Sequence, residues 1–197
     1  MNVRTLATLL VVVLGCTVAP PPPPPATVRR VAVLTPDNRT GDGLLVAGTS
    51  LLERYAFRTE RVTVPDVLAI ELRATLARRG FAVVPPETVQ AATEGRPAGS
   101  PEAAAELARH GHLDDPVLMV VIDRWEPDAP TEPTFVIVAV EAALVDPSSG
   151  SVLWRVHPRM RPIKTPGAVT LGSAYEIAAG QVVQELVGSW GPLPPPS

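Results

Sequence analysis

Three groups of side chains in this 197-residue sequence have the residue types for chemistry. His110-Gly-His112, followed by Asp114 and Asp115, puts two imidazoles and two carboxylates within six residues, a donor set suited to a divalent metal. The spacing argues otherwise. Zinc ligands come as closed short spacings or as a helical i, i+4 pair, and a histidine ending a helix is explained by the dipole. Asp37, Asn38 and Asp42, with Gly41 and Gly43, follow a β-branched run, where many α/β proteins hold phosphate or metal. Neither G-x-G-x-x-G nor G-x-x-x-x-G-K-[ST] is present, so a solvated turn is expected. Asp123, Glu126 and Asp128 could supply an acid/base pair. No G-x-S-x-G, no second cysteine and no interpretable Ser/His/Asp set accompanies them, so they read as solvated carboxylates. No catalytic residue, metal or cofactor is assigned, and the expectation is a non-enzyme. The alternative is a small-ligand-binding or hydrolytic domain using loops 37–43 and 123–128.

Two surfaces carry recognition chemistry instead. Arg155, His157, Arg159 and Arg161 are spaced by two, with Lys164 just beyond, so an extended chain would project them from one face. Trp154, Val156, Pro158, Met160 and Pro162 would take the other. Such a ridge suits anionic lipid headgroups, cell-wall carboxylates or an acidic partner. The same pattern also suits an edge strand protected from aggregation by charge and proline. Leu51, Leu52, Tyr55 and Phe57 fall in a stretch, 44–61, with neither helical nor alternating spacing. They read either as a docking loop or as cover for a sheet edge.

The elements that must position these groups are well punctuated. Arg30 to Thr35 reads as a strand stopped by Pro36, and 36–43 as a turn cluster. A helix from Thr63 has Pro65 in its first turn, Asp66 at the positive dipole end, Leu68, Leu72 and Leu76 on one face, and Gly80 as its stop. Phe81 to Val84 is a short strand, followed by helices over 86–92 and 100–110. Val117 to Ile122 is unbroken and apolar, as a central strand covered on both faces requires. Phe135 to Val145 reads as its neighbour, and Asp146-Pro-Ser-Ser-Gly150 as a bulged hairpin into Ser151 to His157. Ser173 opens a last helix reaching Trp190 through the box Ser173-Ala-Tyr-Glu176. The order is β-α-β-α-α-β-β-β-α, an α/β (α+β) single domain with a mixed sheet of about five strands and packed helices.

Leu6 to Cys16 is a different kind of segment. It follows Arg4, is apolar, and ends in the only cysteine of the chain. A charged start, a short apolar run and small residues at its end have the form of a secretory signal, too short to span a bilayer. Val13-Leu14-Gly15-Cys16 resembles the lipobox of bacterial lipoproteins. The resemblance implies removal of residues 1–15, diacylglycerol on the Cys16 sulfur, and acyl chains such as palmitate anchoring the protein to a lipid bilayer. Thr17 is not the aspartate associated with inner-membrane retention, which implies the outer membrane, facing the periplasm. Residues 16–27 then form a tether. Pro20 to Pro25 read as a polyproline II rod of about 19 Å. Residues 28–190 are the domain and 191–197 a disordered tail. The formal charge of −3 and the lack of a basic arm give no reason to expect nucleic acid.

Within the domain, Val31-Ala-Val-Leu34, Asp37-Asn-Arg-Thr-Gly41 and Arg78-Arg-Gly-Phe-Ala-Val-Val84 resemble the αβ domains of envelope assembly lipoproteins. The TolB amino-terminal domain, the curli-secretion lipoprotein and the penicillin-binding-protein activators share the pattern. Val138 to Trp154 is most similar to an uncharacterised family of outer-membrane lipoproteins. The resemblance implies a protein-binding domain with an envelope protein as partner, serving secretion, assembly or cell-wall synthesis, and leaves a homo-oligomer open. It brings no catalytic residue.

Overall fold

A computed structural model describes residues 23–47, 61–157, 159–188 and 190–191. Its elements are β1 (Arg30–Val33), β2 (Asp37–Asn38), β3 (Leu45–Ala47), β4 (Val62–Thr63), α1 (Val64–Arg78), β5 (Ala82–Val83), α2 (Pro86–Thr93), α3 (Pro101–His110), β6 (Val117–Pro127), β7 (Phe135–Val145), β8 (Val152–Val156), β9 (Arg161–Lys164) and α4 (Leu171–Val187). The expected mixed α+β domain is present. Its main sheet runs β5-β1-β6-β7-β8, with β2 continuing beside β6 and β9 beside β7. β1 is parallel to β5 and β6, and β2 is parallel to β6; β7 is antiparallel to β6, β8 and β9. Four short strands, β2, β3, β4 and β9, were not expected from the sequence. At two to four residues each, none is long enough to show a period.

Side-chain alternation on β6 builds two cores. Leu118, Val120 and Ile122 pack with Leu68, Leu72 and Leu76 of α1 and Val182, Val183 and Leu186 of α4. Val117, Met119 and Val121 pack with Val89 of α2 and Ala104 and Ala108 of α3. All six residues of Val117–Ile122 are buried, which is why the run is uniformly apolar. A bulge between Ile122 and Arg124 resets the alternation, so Trp125 returns to the α1/α4 side instead of facing away. The α2/α3 layer is thin because it is built from alanine. A Cβ on Gly111 would overlap the Ala92 carbonyl, so the close approach of these helices requires glycine there.

Local chemistry explains the boundaries. Thr63 caps α1, its N–H and hydroxyl both donating to Asp66 Oδ2 at 2.9 and 2.6 Å. Asp146 Oδ1 accepts from the Ser148 amide and hydroxyl, and Gly150 takes φ +69° in the β7–β8 turn. One boundary differs from expectation. The last helix begins at Leu171, capped by Thr170, and Ser173 is the third residue of the helix, closing a capping box with Thr170, not the cap. Ser173 Oγ returns the contact to the Thr170 N–H at 3.1 Å, so a serine with cap chemistry lies one turn inside the helix. The helix also ends at Val187, before Trp190. Among the described residues no helix is long and apolar enough to cross a membrane.

Trp190 closes the α1/α4 core from beyond the end of α4. It is fully buried, edge-on to Trp154 at 5.0 Å between ring centroids and tilted on Phe81 at 5.5 Å. Arg79 Nη1 donates to its carbonyl. Replacing Trp190 with alanine is expected to cost about 3–5 kcal/mol of folding stability, by the usual penalty for emptying a large aromatic site. Urea unfolding followed by circular dichroism measures it.

Candidate functional site

The sheet has two unlike ends. The chain enters through a turn in which the Val28 amide donates to the Pro25 carbonyl at 3.0 Å, and β1 then starts beside β5 and β6. The β7–β8 turn lies at this same end. A cavity of about 420 Å³ opens there, lined by Thr27, Val28, Arg30, Asp115, Asp146 and Leu153 among others. The parallel strands β1, β2 and β6 point to the opposite end, where loops 39–44, 128–134 and 165–170 gather. That is where open α/β sheets commonly place ligands.

Asp37, Glu126 and Asp128 at the loop end are engaged in holding the loops. Asp37 Oδ2 accepts from Arg39 Nε at 3.0 Å, and Arg39 Nη2 donates to the Gly99 carbonyl between α2 and α3. A Cβ on Gly99 would overlap that guanidinium. Asn38 Oδ1 accepts from the Thr40 amide and hydroxyl at 3.1 and 2.8 Å, and Asn38 Nδ2 donates to the Asp42 carbonyl at 2.7 Å. The stretch expected to be a turn thus begins as β2 and continues as an Asx turn. Asp128 accepts from the Thr134 hydroxyl at 2.6 Å, the Thr134 amide at 2.9 Å and the Phe135 amide at 3.2 Å. The Thr134 hydroxyl, first among these donors, holds its carboxyl below the usual range. Glu126 is paired with Arg124 at 2.5 Å. None of these carboxylates lines the cavity described above.

His110 ends α3, and His112 follows in a left-handed turn at φ +56°. Asp115 Oδ2 is 3.1 Å from Arg30 Nε. Among the described residues no three His, Cys, Asp or Glu side chains gather as metal ligands.

The basic ridge is rearranged. The extended chain expected over 155–161 is divided between β8 and β9, which pair with successive parts of β7. Arg155 donates from Nε and Nη2 to Glu141 Oε1 at 2.9 and 2.6 Å. Glu141 lies between Val140 and Ala142, both in the α1/α4 core, so this pair sits on the other face of the sheet. Arg161 reaches Glu185 of α4, on the α1/α4 face. The two arginines therefore point to opposite sides, because β8 and β9 pair with β7 in registers one residue apart, Arg155 opposite Ala143 and Arg161 opposite Val138. His157, Arg159 and Lys164 are exposed, and Met160, expected opposite the cations, is 63% exposed with Arg124 Nη1 3.3 Å from its sulfur. Cys16 and the docking-loop residues Leu51, Leu52, Tyr55 and Phe57 lie outside the described residues.

Two further shifted groups were not anticipated. Burial, and secondarily the Asp42 charge, push the Tyr175 phenol up, and burial pulls the Arg73 guanidinium down. Tyr175 could be read from the sequence only as a core residue of the last helix, since its neighbour Asp42 is far off in the chain.

No family model and no curated protein matches the chain. Solved structures are similar to it in architecture. The PelC dodecamer from Paraburkholderia phytofirmans is 19% identical with a TM-score of 0.45, over 83% of this chain and 92% of that one. Lipoprotein GNA1162 from Neisseria meningitidis is 17% identical with a TM-score of 0.43, over 82% and 98%. The LpoB C-terminal domain from Salmonella enterica is 17% identical with a TM-score of 0.41, over 69% and 82%.

The turn carboxylates generate a pH prediction. Hydrogen bonds from Ser148 first and Ser149 next hold the Asp146 carboxyl below its ordinary value. A carboxyl with a depressed folded pKa stabilises the fold above its unfolded pKa, about 4, and loses that contribution as pH falls through the folded value. Asp146→Asn is expected to lower the urea midpoint at neutral pH, and the gap from the parent should close in acid. Denaturation curves at stepped pH check this.

Proposed function

We propose that this chain is a lipid-anchored envelope lipoprotein whose αβ domain binds another envelope protein without catalysis. The observation that carries the reading is where the chain enters the fold. The Pro25–Val28 turn delivers it to one end of the sheet, while the loops gather at the other. Upstream of that turn lie the prolines of 20–25 and Cys16. An anchor at Cys16 would leave the loop end free to meet a partner, with the rod setting reach and the anchor raising local concentration. Acyl chains joined at one cysteine would hold more firmly than one chain alone. Thr17 favours the outer membrane, facing the periplasm. A single domain over 28–190 and a signal peptide over 1–15 complete the proposed organisation.

The engagement of Asp37, Asn38, Glu126 and Asp128 in the loops' own hydrogen bonds and ion pairs supports binding over hydrolysis. A general acid or base needs a carboxyl free to exchange a proton with substrate.

Two measurements test the anchor and the partner separately. Labelled palmitate is expected to mark the parent and not Cys16→Ser, and Cys16→Ser should leave the membrane fraction. Unlabelled parent protein would overturn the anchor. Crosslinking in intact cells followed by mass spectrometry is expected to recover one envelope protein reproducibly through loops 39–44, 128–134 or 165–170. Recovery of this chain alone would point instead to a homo-oligomer.

A further inference from the structure

We propose that the outer edge of the sheet, formed by His157, Arg159, Met160 and Lys164, rests on an anionic bilayer surface with the methionine entering the headgroup layer. This deepens the lipid-anchored reading, which supplies the membrane; the orientation, edge down, comes from the edge's own residues. The charge argument comes first. Three carboxylates near this edge have cations: Glu141 has Arg155, Glu126 has Arg124 and Glu185 has Arg161, while Asp128 is held by the Thr134 hydroxyl and the Thr134 and Phe135 amides. Arg159 and Lys164 are exposed and enter no ion pair among the described residues, so the edge presents two free cations to solvent.

The apolar argument is independent. Met160 is 63% exposed, between two arginines in sequence. An acidic protein loop or a cell-wall polymer would answer the charges and leave this side chain in water. A bilayer answers both, since long cationic side chains reach headgroups while an apolar one enters the acyl boundary. Geometry permits it. From Val145, at the end where the chain enters, to Val138, opposite Arg161, is seven residues of β7, or about 24 Å. The rod expected over 20–25 spans about 19 Å, and residues 17–19 add to it. The domain can therefore lie on this edge while anchored at Cys16. Each cation at an anionic surface strengthens binding about fivefold.

The experiment uses the full chain on vesicles of phosphatidylcholine, alone or mixed equally with phosphatidylglycerol. Peroxide oxidation of Met160 is followed by mass spectrometry. Met119, 1% exposed, reports whether the fold is intact. Oxidation of Met160 is expected to slow about fivefold or more on the anionic vesicles, and to recover in high salt and in the Arg159→Glu/Lys164→Glu variant. Equal rates on the two vesicle types, or protection by cell-wall sacculi and not by anionic vesicles, would overturn the proposal. Should the variant expose Met119, salt dependence of the parent decides instead. Flotation with neutral vesicles reads the anchor separately: a chain that does not float, yet whose Met160 is protected on anionic vesicles, loses the anchor and keeps the edge.

Discussion

A strand buried on both faces has to be covered twice, and most of this fold follows from that demand. Val117 to Ile122 send alternate side chains to two cores, so helices are needed on both sides of the sheet. The two covers are unequal. Leucines and valines of α1 and α4 make a deep layer on one side, whereas alanines of α2 and α3 let short helices approach closely on the other. Each buried leucine contributes about 1.5–3 kcal/mol relative to exposure, so the leucine layer holds most of the apolar stabilisation. The alanine layer gains from proximity, which Gly111 makes sterically allowable.

The bulge in β6 is the second organising device. It separates a half of the strand sealed between helices from a half that runs past them, and it turns Trp125 back into the larger core. Beyond the bulge the sheet's other face carries the Arg124–Glu126 pair, and on β7 and β8, level with Val121 and Met119, the same face carries the Glu141–Arg155 pair. Pairs this exposed add little stability. They neutralise Glu126 and Glu141 along that face.

Charge placement also separates loop building from chemistry. Asp128, Asp146 and Asn38 each accept hydrogen bonds from groups within a few residues of themselves, so they fix turns at either end of the sheet. A carboxylate satisfied by its own turn is stabilised as an anion, the opposite of what a proton-transferring group requires.

The sequence by itself determined most of what near neighbours govern. The leucine stripe of α1, the Thr63 cap, the doubly covered run at Val117–Ile122 and the Asp146–Gly150 turn were all legible, because helix period, capping and turn geometry act over a few residues. The form of a processing signal in the segment ending at Cys16 is likewise a matter of adjacent residues and needs no fold. Only the tertiary structure decided which sides of the sheet Arg155 and Arg161 occupy, since that depends on the separate registers of β8 and β9 on β7 and on carboxylates distant in the chain. It decided the start of α4 as well, because Thr170 and Ser173 have the same cap chemistry and only their placement relative to the helix tells them apart. Short strands such as β2 and β9 were invisible for the same reason: two to four residues show no period, and pairing with β6 or β7 is what makes them strands.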